Sequence, residues 1–552
     1  MGGSHLANHS QPGEVATHVS GPVSRLDRRE VRLLGPAVAI GLTAVMLWIL
    51  DELPLYVDGG SYLAIAEHWA AGDWSAAINA YWSPLLSMLL APAVLVGIPA
   101  VVAASILSAA TAGAAIAALQ RLMRVCGVAS DVSIIVALGA CPFVVFATLD
   151  NLVPDLLMAA LLVVFVADIV DGIPRPVRTG AIGGLAFLAK AYALPFMLAF
   201  CVLIGIGRLV LSRATGVRTS QPVYLLIASA TMLLIVCFWS LVISIDEGQL
   251  MFSSAAEYNR KITAPGSPGN PYGWLGLIEP DHPAAFWGWE DPAKIPVPDV
   301  PDLSDAPGKA TSTNGRLNRI WSNANQSFRA AALVAGSALA AALVFVWAAW
   351  SALVGWLRSR QLHLGKSETA LLQLGLAAGL YTGGLLWLVV NARYLYFVML
   401  ILVAVAAVGV TAIGSLRSTS QRLVIMLAIV LALTTAARPA VALVRLDERV
   451  EAIHEIDEFL GTVDVEGRRV ASYPVRLHLV GARCIENGCV YLGSPTVDGE
   501  VSVEAQLVAF GVDTFVVDDS SGVGVPAKAI LVARSDSLRY SVYDVSALDA
   551  LT

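Results

Sequence analysis

The chain has 552 residues, of which 57% are hydrophobic and 14% charged, whereas about a quarter of a soluble globular chain is charged. Mean hydropathy is +0.71 and the formal net charge is −7. This composition excludes a disordered chain and a soluble multidomain enzyme, and the lack of a basic excess excludes a nucleic-acid coat.

Residues 1–30 begin with Gly, Ser, His and Asn and read as a disordered cytoplasmic N-terminus. No basic start leads into a short apolar core with a cleavage site, so this is not a signal peptide. A membrane crossing needs roughly 20 apolar residues, and the first candidate is 33–50. Residues 51–83 follow as a first outer loop. The stretch 84–119 contains Pro84, Pro92 and Pro99. It reads either as one broken crossing or as a re-entrant piece followed by a crossing. Further candidates are 131–148 and 153–170, and 179–211 is long enough for two short crossings that turn near Lys190 and Tyr192. After 223–243 comes a second outer loop, 245–327, dense in Pro, Gly and Trp. Candidates 328–355, 368–390, 394–414 and 421–438 complete the series.

Basic clusters occur at Arg25/Arg28/Arg29/Arg32, Arg121/Arg124, Arg175/Arg178, Arg208/Arg213/Arg218, Arg358/Arg360/Lys366 and Arg417/Arg422. Short loops rich in Lys and Arg stay cytoplasmic. All six clusters fall on one side if 84–119 crosses once and 179–211 twice. The expectation is an α-helical polytopic membrane protein with about eleven crossings over 31–439, its N-terminus inside and a small α/β domain, 440–552, outside. An Ala/Val/Arg-rich composition points to a bacterial cytoplasmic (inner) membrane.

The outer domain opens with Leu446, Val450, Ile453 and Leu460 at helical spacing, stopped by Gly461. Strand-like runs follow at 468–473, 489–492, 514–518 and 529–533, with a helix-like segment at 500–510. Cys484 and Cys489 flank Asn487-Gly488, a turn signal. An oxidising outer compartment favours a disulfide there, and two free thiols are the alternative.

The first outer loop holds five carboxylates, Asp51, Glu52, Asp58, Glu67 and Asp73, with no Lys or Arg. They alternate with Tyr62, Trp69, Trp74, Tyr81 and Trp82, residue types of the membrane–water boundary. Segment 61–71 is expected to lie in the interface plane as a short amphipathic helix. Asp58 reads as a general base or as the N-cap of a helix starting near Ser61. Asp150 and Asp155 fall between two apolar stretches, where they can position an acceptor, hold a divalent cation or cap a helix. Lys190 interrupts an apolar run, which marks either a functional cation or a lysine snorkelling to headgroups. Arg393, at the end of a crossing, can pair with phosphate or anchor the interface. Tyr62 and Tyr394 are pocket or belt residues, and Tyr258-Asn259 of the second loop are candidate contacts to sugar or acceptor. There is no P-loop, HExxH or dinucleotide glycine motif.

In order and placement these features resemble the GT-C glycosyltransferases, which include protein O-mannosyltransferases and lipid A aminoarabinose transferases. The resemblance rests on Asp58 with Tyr62 four residues later, IAEHWAAGDW at 65–74, and Ser83-Pro84-Leu85. It continues with Pro154-Asp155-Leu156-Leu157, the run from Gly184 to Lys190, Arg393-Tyr394-Leu395 and GVDTFVV at 511–517. Two positions depart from it: Asp58 is followed by Gly59 rather than Glu, and Trp82-Ser83-Pro84-Leu85 stands where the family often has Lys-Pro-Pro-Leu. The resemblance implies inverting transfer of a sugar from a polyprenyl-phosphate donor to an envelope glycan, lipid or protein. It implies catalytic roles for Asp58, as base, and Asp155. Lys190, Arg393, Tyr62, Tyr394, Asp150 and Tyr258 would bind substrate. For cofactors the residues leave two alternatives, none at all or a divalent cation, Mg or Mn, with the donor phosphate. A flippase of lipid-linked sugars, marked by inverted repeats, and a non-catalytic envelope-assembly subunit are the alternatives.

Overall fold

The computed structural model describes residues 28–50, 57–215, 220–262, 276–279, 324–325, 327, 329–359, 366–386, 391–414, 420–473, 480, 484, 488–497, 501–536 and 539–551. Asp51, Glu52 and most of the second outer loop lie outside the described residues, as does residues 1–27 of the expected N-terminal tail. The last three residues of that tail are helical, since the first helix begins at Arg28.

The chain forms helices α1 (Arg28–Leu50), α2 (Val57–Ala71), α3 (Trp74–Ala77), α4 (Leu85–Leu95), α5 (Ala100–Val125) and α6 (Ser130–Leu149). Next come α7 (Asp155–Val170), α8 (Pro176–Ala189), α9 (Ala193–Thr215), α10 (Gln221–Asp246) and α11 (Ala255–Ile262). The last helices before the outer sheet are α12 (Ala335–Ser359), α13 (Lys366–Leu385), α14 (Tyr396–Gly414) and α15 (Gln421–Gly461). Among the described residues, eight helices are long and apolar enough to cross a membrane: α1, α5, α6, α9, α10, α12, α14 and α15. The expected count of eleven adds α7, α8 and α13. The protein is an integral membrane protein.

Local chemistry explains the breaks. The 84–119 stretch is a short helix followed by a long one. Pro84 and Pro99 precede α4 and α5, and Gly97, at φ +85°, reverses the chain between them. The 179–211 stretch breaks where Lys190 adopts an extended conformation at the end of α8, and Lys190 accepts at its carbonyl from the Ala193 N–H. Helix α7 is apolar on all sides, and buries nearly every residue from Asp155 to Ile169. It packs against α5, α8 and α14. Close approach elsewhere uses small residues. A Cβ at Gly139 of α6 would collide with the Ala432 backbone of α15, and one at Gly180 of α8 with the Ala228 carbonyl of α10.

Segment 61–71 is helical, as expected, and one side of it is buried in protein. Within α2, residues 59–66 are all buried, and Glu67 and Ala71 are exposed. Gly59, Gly60, Ser61, Ala64 and Ala66 make the helix narrow, so α4 and α5 close over it. Its buried side therefore meets protein.

The outer domain is a five-stranded sheet of β1 (Arg469–Tyr473), β2 (Val490–Tyr491), β3 (Thr514–Asp518), β4 (Ile530–Ser535) and β5 (Tyr540–Asp544), in the order β2-β1-β3-β5-β4. β1 is parallel to β2 and β3, while β5 runs antiparallel to β3 and β4. Alternate residues fill two cores. Val470, Val516 and Val542 face one; Ala471, Phe515 and Val517, with Leu507 of helix α16 (Val503–Ala509), face the other. Cys484 and Cys489 are bonded to each other, and Gly488 turns the chain at φ +67°. The expected crossing 421–438 and the helix expected at the start of the outer domain are one continuous helix, α15, with Pro439 inside it.

Candidate active site

Four charged residues from distant parts of the chain meet at one end of the bundle. Asp58 comes from the first turn of α2 and Asp155 is the first residue of α7. Lys190 ends α8. Arg393 lies in a 3₁₀ turn, Ala392–Leu395, held by the Asn391 side chain, which accepts from the Arg393 backbone N–H at 3.3 Å. Arg393 Nη2 donates to Asp58 Oδ2 at 2.6 Å, and its Nε lies 3.8 Å from Asp155 Oδ2. Lys190 Nζ lies 3.8 Å from the same Asp155 oxygen. Asp155 is fully buried, and the other three side chains are 13–19% exposed.

Burying four ions is expensive, and the mutual attraction of such pairs does no more than offset the desolvation. A cluster of this kind inside a chain that carries few charges is a candidate functional site. Its two acids and two bases balance. Neither carboxylate caps its helix: Asp58 turns to Arg393, and Pro154 occupies the N-cap of α7.

Aromatic residues enclose the cluster. Tyr62 is fully buried, its ring 5.1 Å from that of Trp82, and its hydroxyl has no hydrogen-bond partner among the described residues. Burial pushes this phenol up to about 12, and Lys190, Asp155, Asp58 and Arg393 all act on it. Tyr394 lies beneath the Arg393 guanidinium at 5.6 Å. Tyr258 stands further out on α11, edge-on to Tyr81, whose hydroxyl donates to Asn259 Oδ1 at 3.4 Å. Helix α11 is held there by hydrogen bonds from Ser254 N–H and the Ser253 hydroxyl to the Ala80 carbonyl. Asp150 ends α6 and acts electrostatically on Tyr396 together with Asp155.

Two residues of the cluster have no candidate role in the sequence reading. Tyr192, just after the α8 break, donates its hydroxyl to Asp155 Oδ1 at 3.1 Å and packs against Tyr394 and Tyr381. Tyr81 lies within electrostatic reach of Asp58 and Tyr394, and burial raises its phenol. A polar aromatic two positions from an intramembrane lysine was the available signal for Tyr192.

Among the described residues no three His, Cys, Asp or Glu side chains converge, and both site carboxylates face cations of the protein. No step is derived through a metal.

No family model and no curated protein matches the sequence. Solved structures do. ArnT from Cupriavidus metallidurans bound to undecaprenyl phosphate superposes with a TM-score of 0.54 at 14% identity, covering 93% of this chain and 98% of that one. The apo state of the same protein gives a TM-score of 0.53 at the same identity and coverage. The chain therefore has the fold of ArnT over nearly its whole length.

Proposed function

We propose that the protein transfers a sugar from a polyprenyl-phosphate donor to an acceptor hydroxyl at the outer face of a bacterial cytoplasmic membrane. The observation that carries this reading is the Asp58–Arg393–Asp155–Lys190 cluster. It gathers a carboxylate able to take a proton and two cations able to take a phosphate. The ArnT structure with undecaprenyl phosphate supports the class of donor.

In this mechanism Lys190 and Arg393 hold the donor phosphate, with Asp155 as their buried counter-charge. The phosphate competes with Asp58 for the Arg393 guanidinium, and so frees Asp58. Asp58 takes the proton of the acceptor hydroxyl while that oxygen attacks the anomeric carbon from the face opposite the phosphate. The C1–O bond to phosphate breaks, its electron pair leaves on the polyprenyl phosphate, and the sugar is inverted. Fixed cations near the leaving oxygen stabilise charge that develops in the transition state. Tyr62 and Tyr394 line the donor side; Asp150, Tyr81, Tyr258 and Asn259 shape acceptor access. The acceptor is an envelope glycan, lipid or protein.

The test is transfer from a radiolabelled polyprenyl-phosphate sugar by purified protein in nanodiscs. Asp58→Asn keeps the shape and loses the base, and turnover falls at least about 100-fold. Turnover at the wild-type rate sinks the mechanism.

A further inference from the structure

The other end of α7 carries a second buried charge cluster, and catalysis has no use for it. Asp168 is fully buried and accepts from Arg121 of α5, from Arg178 of α8 at 2.6 and 2.7 Å, and from the Thr179 hydroxyl at 2.9 Å. Arg208 of α9 donates to the Ile169 carbonyl at 2.6 Å. Helix α7 runs about 20 Å between Asp155 and Asp168, so this cluster is far from the sugar-transfer site.

Its charges do not balance. Arg121, Arg178 and Arg208 gather at the end of α7 around the one buried carboxylate of Asp168, an excess of two positive charges among these contacts. Loop arginines that only set orientation need no burial. Here three guanidinium N–H groups, Arg121 Nε, Arg178 Nε and Arg208 Nη1, are buried with no acceptor among the described residues. Each such orphan donor destabilises the fold until an acceptor reaches it. The site is nonetheless open: the Arg121 and Arg178 side chains are 28% and 38% exposed. Exposed apolar residues flank it, with Val177 next to Arg178 and Ile206, Leu209 and Val210 around Arg208.

Unsatisfied guanidinium donors beside a bare apolar surface require an anion with an apolar body. We propose that the α5–α8–α9 end of α7 binds the phosphodiester headgroup of an acidic phospholipid, in the leaflet opposite the catalytic cluster. The unesterified phosphate oxygens accept from the arginines, and the acyl chains lie along Val177, Ile206, Leu209 and Val210. Inorganic phosphate shares the oxygens and lacks the chains. The inference goes beyond the transferase reading and does not depend on it, because it needs only that these helices cross a bilayer.

The experiment is native mass spectrometry of the full chain in detergent, titrated separately with phosphatidylglycerol and phosphatidylcholine, with thermal unfolding in each lipid and in inorganic phosphate. The wild type is expected to retain phosphatidylglycerol with an apparent Kd at least about tenfold lower than for phosphatidylcholine. Arg208→Gln removes that preference, and Arg422→Gln, an exposed arginine of α15, leaves it intact. Where Arg208→Gln does not fold, Arg175→Gln repeats the test with an exposed residue one turn before Arg178. Equal retention of the two lipids overturns the proposal, and so does a preference unchanged in Arg208→Gln or Arg175→Gln. Stabilisation by inorganic phosphate equal to that by phosphatidylglycerol overturns the lipid and leaves a small-anion site.

Discussion

Asp155 and Asp168 are the two buried carboxylates of a single 16-residue helix, one in its first turn and one in its last, and each faces two cations contributed by other helices. The cations come from α5, from α8 and from the 3₁₀ turn at Ala392–Leu395, so α7 is pinned at both ends by charge as well as packing. Helix α8 shares the arrangement, with Arg178 and Thr179 at its start and Lys190 at its end.

Arg393 is the residue that joins the two acids, and a lysine cannot do its work. The guanidinium reaches Asp58 through Nη2 and faces Asp155 through Nε, whereas an ammonium is a point charge on a flexible stem. Arg393→Lys keeps the net charge and is expected to lower transfer by about tenfold to 100-fold, the worth of one or two charge-assisted hydrogen bonds. The readout is turnover of lipid-linked sugar at saturating donor, with thermal unfolding as the check on folding.

Tyr192→Phe removes the hydroxyl's hydrogen bonds to Asp155 Oδ1 and with Tyr381, and keeps the ring packing. A buried carboxylate oxygen then loses its donor, at about 1–3 kcal/mol. The expected result is a lower unfolding temperature in detergent together with reduced transfer, because Asp155 no longer fixes Lys190 and Arg393. Full activity in Tyr192→Phe would leave this tyrosine a packing residue only.

Asp168→Asn separates stability from chemistry. It leaves Arg121 and Arg178 without their counter-charge at the end of the bundle away from the site. Breaking a buried pair in this way costs about 3–5 kcal/mol. Thermal unfolding should move sharply down, while the turnover of protein that remains folded stays near that of the wild type.

The second outer loop is clipped to the outer sheet, and the clip responds to acid. Leu277 bridges Gly493 beside β2, the Ile278 N–H donates to the Leu492 carbonyl, and Arg469 Nη1 donates to Glu279 Oε1 at 2.8 Å. The hydrogen bond from Arg469 holds the Glu279 carboxyl below the usual carboxylate range. A carboxylate depressed in the folded state contributes stability above its unfolded pKa, about 4.3, and loses it as pH falls through the folded value. Glu279 is 59% exposed, so the contribution is under about 1 kcal/mol. Hydrogen exchange over 276–279 and 490–493 should quicken below pH 4 in the wild type and lose that pH dependence in Glu279→Gln.

Much of the catalytic end was legible in the sequence because charges are scarce in it. Lys190 and Arg393 stand out as isolated cations in apolar runs, and Asp58 as a carboxylate among aromatics. Asp168 did not stand out: two residues from the end of an apolar stretch it read as part of a crossing, while Arg121 and Arg178 were fully accounted for by membrane orientation. Pairing between helices cannot be read from a one-dimensional pattern. The helix of 61–71 was legible in its spacing, whereas the burial of residues 59–66 by α4 and α5 was not, because small residues such as Gly59, Gly60 and Ala64 give no one-dimensional sign of the neighbours that close over them. In the outer domain four strands were marked by short runs centred on adjacent apolar residues. β5, Tyr-Ser-Val-Tyr-Asp, was not foreseen, because its polar residues interrupt the run and only its place between β3 and β4 makes it a strand.

Helix α15 spans 41 residues without interruption, a rod of about 60 Å, roughly twice the thickness of a hydrocarbon core. It ties the outer sheet mechanically to the bilayer. Helices answer a change in membrane thickness by tilting, and a tilt of about 10° swings the far end of such a rod by about 10 Å. The lipid composition of the membrane thereby sets how far the outer domain leans, and Pro439 is the point at which the rod would bend to absorb that strain.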